Sequence, residues 1–362
     1  MSIAKLCSSE WLSDKPDLGL HNQLRDVAHL RAVCRTFRDL IDKHEHVIVA
    51  TMLDAHRGTN IALLAELFPP PRARTADGAR RPTLKYVNSL EKRHAASAEL
   101  AGNLAQRALA PLFDVRAGGS AVSLSRRDRD AGRDKAARAI TRRLVPQLYH
   151  IEHFLVNARL RFSKALTSLA AEGGGGAPPP PELLAQMYRD VQTRIIAQWP
   201  DNILLSTHHA FHFLVNSIRL AISPEPPHNT NDDTVSVMLR CPMPLQRCNE
   251  FFAADNPAAA SKLRRQFMLD MEGEKVKTQL LTSVLFDDAH QPVKRRGSGM
   301  LKSEANWTPR MGEVWFESAK NELRIRGLER HRPDKIHRFA EVQGEVMVGC
   351  PDCEVIVTDS RA

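Results

Sequence analysis

Residues 24–41 read LRDVAHLRAVCRTFRDLI. Leu24, Val27, Leu30, Val33, Cys34, Phe37, Leu40 and Ile41 follow one another at the spacing of a single α-helical face. The positions between them are mostly charged or small, so the segment is amphipathic. Asp26 is a candidate cap for its start, because a short carboxylate accepts a free N–H of a first helical turn. The same period continues down the chain. Val47, Ile48, Met52 and Ala55 predict a second short helix, ended by Gly58. Pro82 predicts the start of a third, with Leu84, Val87, Leu90, Ala98, Ala101, Leu104 and Leu109. Proline suits a first turn, where its missing N–H would be unpaired anyway.

Residues 135–171 predict a long helical stretch that Pro146 should kink or divide. Residues 182–199 and 202–222 predict a helix pair joined at Pro200 and Asp201, and 262–271 and 275–286 predict two more helices. The character changes after Met311. Residues 313–316, 323–326, 345–348 and 354–357 are short runs rich in Val, Ile and aromatics with turn residues between them, a strand pattern. The expected fold is mainly α, with helical N-terminal and middle regions and a small β-rich C-terminal subdomain. Linkers are expected at 116–133, where charge alternates, at 173–181 (GGGGAPPPP) and at 223–233 (SPEPPHNTNDD). These segments bury too little apolar surface to offset the entropy of ordering. Residues 291–299 form a weaker break. The expected organisation is an N-terminal helical unit at 1–58, a helical extension at 59–115 and a linker at 116–134. A helical region follows at 135–290, broken at 173–181 and 223–233, and then a β-rich unit at 300–362.

The 362 residues carry 51 Lys+Arg against 42 Asp+Glu, a formal charge of +9. Hydrophobic residues at 43% suffice for a core and exclude wholesale disorder. Aromatics at 6% argue against an extended platform for stacking bases. No run approaches the roughly 18 apolar residues of a membrane helix, so no membrane partner is expected. Residues 1–15 lack the apolar core of a secretory signal, and six scattered cysteines do not form a disulfide framework. An intracellular setting, cytoplasmic or nuclear, is expected.

The ordered run Leu30-Arg31-Ala32-Val33-Cys34-Arg35-Thr36-Phe37-Arg38-Asp39-Leu40 resembles the C-terminal half of an F-box. The family pattern there is Leu-Arg-x-Val-Cys-Arg-x-aromatic-Arg-x-Leu. Three later features are similar to F-box proteins of filamentous fungi: a His-rich helix at 43–56, the break Phe68-Pro69-Pro70-Pro71, and Leu90-Glu91-Lys92-Arg93-His94. The resemblance spans roughly residues 12–110. The family's opening Leu-Pro has no counterpart in residues 11–20 (WLSDKPDLGL), where Pro16 and Gly19 should weaken a helix. The resemblance implies a non-enzymatic interaction module, a substrate-recruiting subunit of a cullin–RING ubiquitin ligase. It would hold a Skp-type adaptor through Val27, Leu30, Val33, Cys34, Phe37 and Leu40, and an unknown target through later regions. The second reading is a basic, non-catalytic nucleic-acid-binding protein.

Other candidates rank lower. Cys350 and Cys353 could form half a zinc site across a turn. The other half would have to be Cys241 and Cys248, whose spacing is unusual for ligands, so a plain hairpin turn is preferred. His208 and His212, and likewise His150 and His153, sit one turn apart without the Glu of a zinc-protease motif. Phe211, Leu214, Val215 and Ile218 read as core. Lys294-Arg295-Arg296-Gly297-Ser298 reads as a solvated basic loop, alternatively an import tag or phosphorylation site. No phosphate-binding loop, dinucleotide fingerprint or nucleophile elbow is present, and no cofactor is expected.

Overall fold

The computed structural model describes residues 16–71, 81–113, 125–172, 179–222, 232–254, 266–267, 269–271, 309–328, 341–342 and 345–346. The chain divides into two compact units, residues 1–99 and 100–362.

The first unit holds α1 (Pro16–Val33), α2 (Arg35–Lys43), α3 (Glu45–Ala55), α4 (Asn60–Leu67) and the first half of α5 (Leu84–Phe113). The single helix expected from Asp26 across 24–41 is instead two. The first starts at Pro16, where proline is tolerated, and runs through Gly19. It breaks at Cys34, whose backbone is extended (φ −156°, ψ 164°) and whose Sγ accepts the Phe37 N–H at 3.5 Å. Later boundaries have local causes too. Gly58, after α3, has φ +80°, a conformation that penalises a Cβ. Thr59 Oγ1 then accepts the Ile61 N–H at 3.2 Å and opens α4. Two side chains cap α5. Thr83 Oγ1 accepts the Tyr86 N–H at 3.2 Å, and Glu45 Oε1 accepts the Leu84 N–H at 2.9 Å. Val49, Met52, Leu64, Val87 and Leu90 are buried and form the interior. Each contributes about 1.5–3 kcal/mol by leaving water.

Among the described residues, the second unit contains the rest of α5 and a series of further helices. These are α6 (Arg126–Glu172), α7 (Pro181–Ile196), α8 (Asp201–Ile222), α9 (Asp232–Leu239), α10 (Pro244–Ala254), α11 (Met311–Val314) and α12 (Phe316–Ile325). Residues 126–134, expected as linker, are the first turns of α6. Ser125 caps them, its Oγ accepting the Asp128 N–H at 3.2 Å and donating to Asp128 Oδ2 at 2.7 Å. Pro146 does not divide α6. An interior proline costs a helix about 3 kcal/mol. Here α6 packs against α7, α8 and α10 and buries Leu144, Leu148, Tyr149 and Phe154 around that point, which outweighs the cost.

The β-rich C-terminal subdomain is overturned: the described protein is 86% helical. Residues 313–316 and 323–326, expected as strands, lie in α11 and α12 or at their ends. Their composition favours strands, but burial follows the helical period. Met311, Val314, Trp315, Ser318, Ala319, Glu322 and Leu323 are all buried, spaced three, one, three, one, three and one apart. Four-residue windows hide that period. Strand pairing among the described residues is two antiparallel rungs, Glu341–Val342 against Glu345–Val346, which build no subdomain. Residues 173–178, 223–231, 275–286, 291–299 and 354–357 lie outside the described residues; within 262–271, residues 266–267 and 269–271 are helical.

Candidate protein-interaction surface

The six adaptor-facing candidates lie on α1, α2 and the break between them. Arg31 on α1 and Asp42 on α2 pair at 2.9 Å. In an unbroken helix residues eleven apart would be separated by about 16 Å, so the chain must turn at Cys34. The turn places Val33 and Cys34 at its apex. Val33 is 68% exposed and Leu40 37%, Cys34 is exposed, and Val27, Leu30 and Phe37 are half-buried. Between Leu20 and Ile41, which are buried, no residue is buried at all. A helix pair serving its own core would bury its apolar stripe; this one leaves it open among the described residues.

The surface has a defined footing. Leu20 and Ile41 anchor the two helices, and His21 Nδ1 meets Glu91 Oε1 on α5 at 3.1 Å. Phe68, at the head of the proline break, meets Arg93 of the Leu90–His94 motif. The Arg93 guanidinium lies 4.2 Å over the Phe68 ring, a cation–π contact. The Tyr86 hydroxyl donates to the Phe68 carbonyl at 2.9 Å. Burial pushes the Tyr86 phenol up to about 12, so it stays a neutral donor.

Of the remaining candidates, those among the described residues are buried or half-buried. His208, His209 and His212 are buried on α8 among aromatic rings. His212 lies 4.2 Å from the Phe316 ring and His208 accepts from the Trp315 indole. Burial pushes His150 and His153 down to about 4, with His150 and Arg161 adding to the effect at His153. Cys241 and Cys248 are buried. The Cys241 thiol donates to the Val237 carbonyl at 3.4 Å, and burial, then Cys241, push the Cys248 thiol up. Among the described residues no group of three or more His, Cys, Asp or Glu could hold a metal ion. Cys350, Cys353 and residues 294–298 lie outside the described residues. No helix of the described residues is long and apolar enough to cross a membrane.

Sequence reasoning missed the polar ties of the second unit. Gln192 is fully buried. Its Nε2 donates to the Glu313 and Val314 carbonyls at 2.8 and 2.7 Å, and its Oε1 accepts from Ser318 Oγ at 2.6 Å. Arg326 Nη1 donates to the Trp199 carbonyl at 2.7 Å and to Asp201 Oδ1 at 2.8 Å, closing the end of α7 onto the start of α8. No sequence motif marks either tie, because Gln192 and its partners, like Arg326 with Trp199 and Asp201, lie more than a hundred positions apart. No family model, curated protein or solved structure matches this chain.

Proposed function

We propose that this chain is an F-box-like protein-interaction module, the substrate-recruiting subunit of a cullin–RING ubiquitin ligase. Val27, Leu30, Val33, Cys34, Phe37 and Leu40 would enter the groove of a Skp-type adaptor. The observation that carries the reading is the open apolar stripe of α1 and α2, where no residue from 21 to 40 is buried. Helix-in-groove docking needs apolar anchors at helical spacing and no reactive group. Its free energy would come from covering Leu, Val and Phe side chains. The second unit, whose helices share a continuous interior, would present the target-binding surface.

The test is retention of the full chain on an immobilised, purified Skp-type adaptor at low and high salt. Retention that barely changes with salt, and that is lost in Leu30→Asp and Val33→Asp, is expected. Absence of retention by the wild-type chain sinks the proposal. Steeply salt-dependent binding to nucleic acid in its place would favour the basic-module reading.

A further inference from the structure

The first five turns of α6 carry a second surface, unrelated to the first. Residues 126–143 hold eight Lys and Arg against three Asp. Arg126 pairs with Asp130 at 3.9 Å, and the Arg133 guanidinium is turned aside to Gln106, donating to its Oε1 at 2.7 and 3.0 Å. Arg127, Lys135, Arg138 and Arg142 are exposed and make no ion pair among the described residues. With Arg127 at zero and about 100° per residue, Arg138, Arg142 and Lys135 fall at about 20°, 60° and 80°. They form one narrow stripe about 22 Å long. Ala137, Ile140 and Leu144, buried, face the opposite way. Like charges three and four apart destabilise a helix, so Lys135, Arg138 and Arg142 do not serve α6 itself.

We infer that this stripe binds an extended acidic peptide segment of a partner protein. Width and length select that ligand. Asp128 and Asp134 border the stripe, each about 20° beyond its edge, and would repel a broad polyanion such as a nucleic-acid duplex. No aromatic residue lies in 126–143 to stack a base. An extended peptide advances about 3.3 Å per residue and turns alternate side chains to one side, so acids at every second position recur about every 6.6 Å. Four such acids span about 20 Å, matching the stripe. Three of the four cations are arginines, whose planar forks suit carboxylates.

The experiment titrates the full chain with a fluorescein-labelled peptide of ten alternating Glu and Ser residues, and with single-stranded and duplex DNA. The expected result is peptide binding that weakens with salt, is absent when Gln replaces Glu in the peptide, and exceeds DNA binding. The joint change Lys135→Gln, Arg138→Gln, Arg142→Gln should weaken it by at least about tenfold, while Arg126→Gln leaves it unchanged. Circular dichroism checks that helicity is kept, and Arg138→Gln alone is read if the triple variant loses it. Failure of the peptide to bind, tighter binding of DNA, or undiminished binding by the glutamine variants overturns the inference.

Discussion

The indole N–H of Trp315 donates to Nδ1 of His208 at 3.2 Å, tying two residues 107 positions apart. Trp315 is fully buried, stacked on Phe211 at 5.3 Å and edge-on to Phe154 at 4.6 Å. It is therefore the point at which α6, α8 and the 309–328 segment share one interior. Trp315→Ala should cost about 3–5 kcal/mol, the range for deleting a large buried aromatic. Trp315→Phe keeps most of the packing and loses the hydrogen bond, and should cost clearly less. Urea unfolding of both variants checks the order; equal costs would mean the ring is not packed as described.

Gln192 holds the same segment by polar contacts. Gln192→Leu keeps the volume but strands the buried Val314 carbonyl, the part-buried Glu313 carbonyl and the buried Ser318 hydroxyl. The expected loss is at least about 2 kcal/mol, since each stranded buried group costs about 1–3. Hydrogen exchange should quicken first in the amides of 311–325. Uniform quickening across the unit would instead show that Gln192 does not act on that segment in particular.

Arg326 closes the C-terminal end of α7. Its Nη2 also donates to the Ala197 carbonyl at 3.2 Å, and its Nε to Glu322 Oε1 at 2.8 Å. Arg326→Lys should recover little of the stability lost in Arg326→Ala, because one ammonium cannot reach carbonyls and two carboxylates in the guanidinium's fork geometry. Thermal melts of the two variants decide the matter.

Acid should destabilise the second unit through two histidines. Folding lowers His150 and His153 from 6.5 to about 4. Between those values the unfolded chain binds protons that the folded chain refuses, so stability falls as pH falls from about 6.5 to about 4. The slope is at most about 1.4 kcal/mol per pH unit for each histidine. Urea midpoints at pH 7, 6 and 5 measure it, and His153→Gln should flatten the curve.

Val33→Asp should leave stability within about 0.5 kcal/mol of wild type, because Val33 is 68% exposed. Loss of adaptor retention in that variant, at unchanged stability, separates a docking role from a folding role. A large destabilisation would place Val33 in a core instead.

Much of the helical layout is legible locally. The periods around Leu84–Leu109 and Phe211–Ile218 mark real helices, and Gly58 and Pro200 stand at real ends. Capping explains the rest of several boundaries: Thr59, Thr83 and Ser125 each accept an N–H that would otherwise be free. Two misreadings have opposite causes. Residues 311–323 carry a clean helical period that strand-favouring Val, Trp and Phe disguise. At Cys34 the apolar period continues in phase, so nothing in the pattern shows the break. It appears only in the extended backbone and the thiol's bond to Phe37 N–H.

The sequence pattern marks the candidate surface but carries no sign of its openness. The apolar positions of 24–41 and the buried positions of 311–323, which include Ser318 and Glu322, follow nearly the same helical spacing. The second set is wholly buried, while the first has only Ile41 buried. By itself the sequence determined helices such as those around 84–109 and 211–218, because period and caps act within a few residues. Only the tertiary structure decided which apolar faces are spent and which are left open. Burial depends on whether another element, often more than a hundred residues away, arrives to cover a face. For 311–323 that element came with the indole–imidazole bond of Trp315 and the amide of Gln192; for α1 and α2, no such cover exists among the described residues.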